Sequence, residues 1–391
     1  MQRMAYLDGL RGLAALDVVI THFAAIFYPF ALFGASYPRH HVAEAYFWQT
    51  PLGLLFSGRF AVCLFFVLSG FVLSLRYLGD AAAGNPDLRA SIAKRTFRLA
   101  GLLLTTATLG YVLMCADLFF NNEVAAVTGS SPWFSHMWPT DLSLSAFLQI
   151  LVFDAFSKTD VFNPPLWTIG YELYGSFLTF GLLLLFRKTR WRFIAYAAAL
   201  FVLQGSYYQC FVLGLFVADI YQNVSAAREG LSRPAVGASF LIAGLFLAGS
   251  PAYLPHEALA QSAYGFLPQL DVLGGGYSTL GAVLVLLGTI GSTWLHRFLT
   301  RPAIAFLGTI SFALYSSHML VQGSFTSWLF LSLVERLGYD GSALLATMAS
   351  LVVMVPTAWL LWRWVDVPAI RLSSWVGVQF LARVESRFEA R

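Results

Sequence analysis

Apolar residues run in ten blocks along the chain, near residues 10–33, 55–78, 99–120, 166–186, 193–206, 207–222, 234–250, 275–294, 303–325 and 342–365, and polar residues gather between them. Most blocks approach the roughly 20 residues that a helix needs to cross a bilayer. A backbone in hydrocarbon must satisfy its own hydrogen bonds, and no barrel-like alternation occurs, so each block predicts a helix. The fifth and sixth blocks are short and parted only by Gly205 and Ser206. Between the third and fourth lies a long segment, Asn121 to Pro165, richer in Ser, Pro, Trp and Asn. Its apolar stretch from Leu142 to Phe156, interrupted by Asp154, predicts an interfacial or re-entrant helix rather than a full span. The pattern predicts an all-α polytopic membrane protein of about ten transmembrane helices over residues 1–365. A basic amphipathic tail, 366–391, follows on the inner membrane surface, and no internal repeat or soluble domain is evident.

Composition supports the pattern. Hydrophobic residues make up 58% of the 391 and charged ones only 11%, where a soluble protein is about one quarter charged. A soluble enzyme, a disordered regulator and a secreted disulfide scaffold are excluded. A net charge of +4 from 24 basic and 20 acidic residues is too balanced for a nucleic-acid partner. Cys63, Cys115 and Cys210 lack CxxC spacing and read as buried packing, so no metal site is expected. Asp17 and His22 interrupt the first apolar run, which is long enough to span, so it reads as a retained helix rather than a signal peptide.

The few charges then set an expected topology. With a cytoplasmic N-terminus and ten alternating helices, 20 Lys and Arg fall on the inner side and 4 (Arg39, Arg59, Lys158, Arg336) on the other. That asymmetry follows the positive-inside rule with both termini cytoplasmic, in a cell membrane. Joining the fifth and sixth blocks into one helix would invert every later loop.

Ionisable residues inside spans are costly and are candidates for function. The first helix reads Leu7-Asp8-Gly9-Leu10-Arg11-Gly12 and continues to His22. Arg11 and His22 are eleven positions apart, three turns plus about 20°, so they share a face about 16 Å apart along the axis. Asp8 precedes Arg11 by three and can orient it. A neutral imidazole near mid-membrane suits a general base, whereas Arg11 reads equally well as a topology anchor. In the second helix Ser69 and Gly70 permit close helix approach. There Arg59 either snorkels or pairs with Asp17 or Glu172. Lys94, Arg95 and Arg98 follow the positive-inside bias or form a phosphate site. Asn163-Pro164-Pro165 sets a rigid entry to the fourth helix, where Trp167 suits an interface and Glu172 falls inside the membrane. Ser311, Tyr315 and His318 form a polar stripe at i, i+4 and i+7, either functional or a seam holding the bundle together.

Together these stretches resemble the acyltransferase 3 family of integral membrane O-acyltransferases, over nearly the whole chain and in order. The carriers are Arg11 and His22, Phe-Phe-Val-Leu-Ser-Gly-Phe at 65–71, the Arg95 and Arg98 pair, Trp167 with Glu172, and the Ser311 to His318 element. The resemblance implies transfer of an acyl group, usually acetyl, from cytoplasmic acyl-CoA to a hydroxyl of a glycan, glycolipid or small molecule. On this resemblance His22 activates the acceptor hydroxyl, and Arg11, Arg95 and Arg98 face the negative charges of CoA, with Ser69 beside them. Glu172 then helps orient the acceptor or the base, with Asp8, Arg59, Trp167, Ser311, Tyr315 and His318 as orienting residues. The implied partners are the lipid bilayer, a saccharide or lipid-linked saccharide acceptor and polysaccharide-assembly proteins, with any esterase-like domain supplied separately.

The chain departs from the family pattern at Ala100-Gly101, where proline often follows the arginine pair. It departs again at Asp366-Val367-Pro368, where Glu-x-Pro is usual, and in carrying Asp17. A reading of a different class is a transporter for a glycan or acidic metabolite. The missing paired repeat counts against it.

Overall fold

A computed structural model describes residues 4–79, 88–138, 142–251, 259–268, 270 and 272–377. Arg3, Arg383, Arg387, Arg391 and the predicted tail beyond 377 lie outside the described residues. Helix occupies each of the ten apolar blocks, and no strand occurs among the described residues. The principal elements are α1 (Ala5–Phe27), α2 (Gly58–Leu75), α3 (Leu88–Cys115), α4 (Leu144–Phe153), α5 (Trp167–Phe186), α6 (Arg192–Val202), α7 (Tyr208–Asn223), α8 (Pro234–Ala248), α9 (Tyr277–Gly291), α10 (Pro302–Val321) and α11 (Ser327–Leu361).

Local sequence explains the ends. Pro234 and Pro302 open α8 and α10, where a missing N–H costs nothing. Ser143 caps α4 by accepting from the N–H of Ala146 at 3.3 Å. Asp17, unexplained from sequence, accepts from the Ser57 N–H at the entry to α2, 3.3 Å away. Gly338 sits at φ 67° inside the last long run, a conformation that side-chain-bearing residues avoid. There the run folds back: Thr326 and Ser350 hydroxyls meet at 2.6 Å, although 24 residues of straight helix would hold them about 36 Å apart.

Among the described residues five helical runs are long and apolar enough to cross a membrane, or seven if each of two pairs bent by about 100° counts as one, with the run from Pro302 counted once although it folds back at Gly338. By length alone this is fewer than the expected ten. At 11 residues α6 is about 16 Å long, and α8, at 15, about 22 Å, against roughly 30 Å of hydrocarbon. The α6 helix is instead fixed to α7 by buried Asp219, which accepts from Arg192 Nε at 3.1 Å and the Tyr196 hydroxyl at 3.0 Å. The stretch predicted to be interfacial forms ten-residue α4, with Phe147 buried while Leu148 and Phe153 are exposed. Cys63 and Cys210 are buried, but Cys115, at the end of α3, is exposed, contrary to expectation.

Helix contacts build around backbones that nearly touch. A side chain at Gly70 of α2 would collide with the Phe211 carbonyl of α7, and one at Gly214 of α7 would meet the Val67 carbonyl in return. Phe66 and Phe211 stack across that crossing at 5.1 Å. A second cluster joins Phe23 and Phe27 of α1 to Ile310 and Met319 of α10 and Phe330 of α11. A third joins Leu103 and Ala107 of α3 to Ile169 and Leu173 of α5.

Candidate active site

The crossing of α1 and α10 organises the site. A Cβ at Gly12 would run into the backbone of Gly308, and one at Gly308 into the Asp8 carbonyl. The two helices therefore lie in backbone contact, which sets Asp8 and Arg11 beside Gly308 and Ser311. Farther along, the same crossing sets His22 beside His318. A one-turn π-helical segment, Gln322–Thr326, follows directly. Its Gln322 amide donates to the Val19 carbonyl at 3.1 Å and ties the helices again near His22.

Two cavities flank this crossing. The smaller, about 280 Å³, is lined by Asp8, Arg11, Ser69, Arg95, Arg98, Thr168, Glu172, Ser311, Tyr315, Trp362 and Asp366. Its three guanidinium groups face three carboxylates. Arg11 lies 3.7 Å from Asp8. Arg95, on α3, pairs with Glu172 of α5, and its Nε donates to Ser176 Oγ at 3.0 Å. Ser69 of α2 donates to the same Glu172 oxygen at 2.5 Å. This pair is buried, with side-chain exposures of 12% and 14%, so Arg95 is held in one orientation rather than free to swing. Arg98, one turn on, is exposed. Asp366 Oδ1 is buried without a hydrogen-bond partner among the described residues.

The larger cavity, about 570 Å³, is lined by His22 and Thr21, by Arg59, Asp160 and His136, and by the rings of Phe47, Trp48, Phe56, Trp133, Trp167 and Tyr207. His22 presents one ring face to Trp133, 5.3 Å between centroids. Its Nδ1 lies 2.9 Å from Nε2 of fully buried His318, and Nδ1 of His318 donates to the Tyr315 carbonyl at 2.7 Å. Asp160, partly buried in the wall, has its carboxyl raised from the ordinary value by desolvation, which backbone N–H groups only partly offset. Val62 and Tyr315 line both cavities. The Tyr315 hydroxyl lies 3.0 Å from Thr168 Oγ1, beneath this shared wall.

The structure thus brings Asp8, Arg11, Ser69, Arg95, Arg98, Glu172 and Ser311 to the arginine chamber, and Arg59 and Trp167 to the histidine chamber with His22. Glu172 engages Arg95 and Ser69 in the arginine chamber, whereas His22 lines the other cavity. The Ser311 hydroxyl is spent on its own helix, donating to the Gly308 carbonyl at 2.9 Å. Sequence reasoning missed Trp133, Asp160, Tyr207 and Asp366 as lining residues. Asp366 carried a signal in its Asp-x-Pro context. Trp133 lay in a segment noted only for composition. Among the described residues no group of His, Cys, Asp and Glu is placed to hold a metal.

The acyltransferase 3 family model, described as an acyltransferase domain, matches residues 4–363. Acyltransferase clz18 of Cochliobolus lunatus is 28% identical over 88% of the chain and 87% of that protein. Acyltransferase R4 of a Phoma species is 25% identical, covering 83% and 84%. O-acetyltransferase PaAT-1 of Phomopsis amygdali is 23% identical, covering 98% and 86%. No solved structure gives a significant match.

Proposed function

The chain belongs to the acyltransferase 3 family of membrane acyltransferases, and from that premise we propose that it moves an acetyl group from acetyl-CoA to an acceptor hydroxyl, with His22 as general base. One observation carries the reading: a chamber holding three arginines and a chamber holding a histidine share the wall formed by Val62 and Tyr315. In this reading the CoA phosphates enter beside Arg98 and Arg11, while Arg95, braced by Glu172 and Ser176, directs the thioester toward Tyr315. The acceptor occupies the histidine chamber with its hydroxyl at the free nitrogen of His22. The oxygen attacks the thioester carbonyl, its proton passes to His22, and the departing thiolate recovers that proton. A relative named as an O-acetyltransferase supports acetyl as the group moved. The cluster of Lys94, Arg95 and Arg98 near the start of α3, beside Arg11 near the start of α1, supports an arginine chamber that faces the cytoplasm, where acetyl-CoA is available.

A cavity of about 570 Å³ suits one sugar unit of a lipid-linked saccharide, or a small alcohol, better than a length of polymer. The test is release of CoA thiol from acetyl-CoA by protein purified in detergent, with n-octyl glucoside as a hydroxyl acceptor. Wild type should release thiol and His22→Ala should not. Equal rates for the two would overturn the assignment.

A further inference from the structure

We propose that His318 is a positioning residue that fixes the tautomer of His22 and shares the proton His22 takes up, an inference that rests on His22 being the base. A backbone carbonyl only accepts, so the 2.7 Å contact between His318 Nδ1 and the Tyr315 oxygen requires the His318 proton on Nδ1. In a neutral ring the other nitrogen, Nε2, is then a bare lone pair. That lone pair faces His22 Nδ1 at 2.9 Å, so His22 must donate from Nδ1. The only His22 nitrogen left is Nε2, unprotonated, and His22, unlike fully buried His318, has surface open to the chamber. The carbonyl of Tyr315 thus dictates, through two rings, which nitrogen meets the acceptor. A histidine side chain in water favours the opposite tautomer, with the proton on Nε2, which would leave His22 without an acceptor facing the chamber. Turning the ring over would set a carbon in place of Nδ1 opposite the His318 lone pair and lose that hydrogen bond.

The same line of bonds carries charge during transfer. The acceptor O–H bond breaks as its proton goes to His22 Nε2, and the new O–C bond forms as the C–S bond opens. Between those events His22 is a cation inside an aromatic chamber. Its Nδ1 proton can shift along the hydrogen bond to His318 Nε2, moving the charge to a ring already braced by a carbonyl. The proton returns by the same path, and His22 Nε2 protonates the thiolate, so both rings end as they began. Triads use a carboxylate to orient the base; here a neutral ring does so without placing a permanent anion in the bilayer.

The experiment compares His318→Met, which removes the acceptor, with His318→Gln, whose amide oxygen reaches the place of Nε2. Turnover of acetyl-CoA with n-octyl glucoside should fall about 10²- to 10⁴-fold in His318→Met with KM for acetyl-CoA unchanged. His318→Gln should recover about tenfold of that loss. In ¹⁵N-histidine-labelled wild type, the ring signals lost on His22→Ala should report a proton on Nδ1 and none on Nε2. Activity of His318→Met within threefold of wild type, or His22 protonated on Nε2, would overturn the relay. Inactive His22→Ala beside a fully active His318→Met would remove the relay and leave the base. Full activity of His22→Ala would remove both.

Discussion

The two chambers share a wall but are made of different material. Every charged group of the arginine chamber stands on a long helix or its π-helical continuation; Arg11 meets Asp8 one turn along, and Arg95 meets Glu172 across a helix crossing. Most of the histidine chamber comes from the segments between the long helices: Phe47 to Ser57, Pro132 to Met137, Asp160 to Pro165, and Gly249 to Pro251. His22 is its principal helical group. Groups on helices keep geometry to within a fraction of an ångström, whereas connecting segments vary and carry specificity. In the proposed reaction the donor is thus met by a rigid, charged site, and the acceptor by a pliable aromatic one.

Substitutions that separate the chambers sharpen this contrast. The largest expected effect is His22→Ala, which should cut turnover about 10³-fold or more while calorimetry finds acetyl-CoA bound as in wild type; weakened binding would mean the chambers are not separable. Next, Arg95→Ala strands Glu172 in a buried site and should lower folding stability by about 3–5 kcal/mol. The double variant Arg95→Met with Glu172→Gln should be less destabilised than Arg95→Ala alone, read by thermal unfolding in detergent. Gly12→Ala drives a methyl group into the Gly308 backbone and should cost about 1–3 kcal/mol. Because it parts α1 from α10, its kcat should fall further than its KM changes. Arg98→Ala, at an exposed position, should raise KM for acetyl-CoA a few-fold and leave kcat unchanged. The smallest effect is Asp160→Asn. A carboxyl raised in the folded state holds its proton longer than in the unfolded chain, so ionising it weakens the fold as pH rises through that window. The variant should therefore melt no lower than wild type at neutral pH, with any gain shrinking as pH falls through the raised value and gone below the ordinary carboxylate range.

Much of the helical content was legible because the apolar blocks are continuous and the bilayer imposes their length. The shared face of Arg11 and His22 was legible too, since it depends only on the pitch of one helix. Pairings between helices were not. Glu172 read as a lone intramembrane acid because its partner Arg95 lies 77 positions away. His318 read as one member of a stripe because His22 is 296 positions distant. The short α6 falls below spanning length because its helix stops at Val202, before the Gly205 and Ser206 turn that cuts its apolar block. Trp133 and Asp160 were invisible as site residues because a connecting segment has no periodicity to aim them.

One rod, α1, contributes Asp8 and Arg11 to one chamber and His22 to the other. It therefore acts as a ruler. The distance from charged anchor to base is set by helix rise, about 16 Å over eleven residues, and side-chain motion adjusts it little. In the proposed reaction a donor is then selected by reach as well as by charge. Acetyl-CoA would span the ruler, whereas an acetyl thioester trimmed of its nucleotide would fill the shared wall without touching the arginines and lose the alignment that a long molecule gains from being held at both ends.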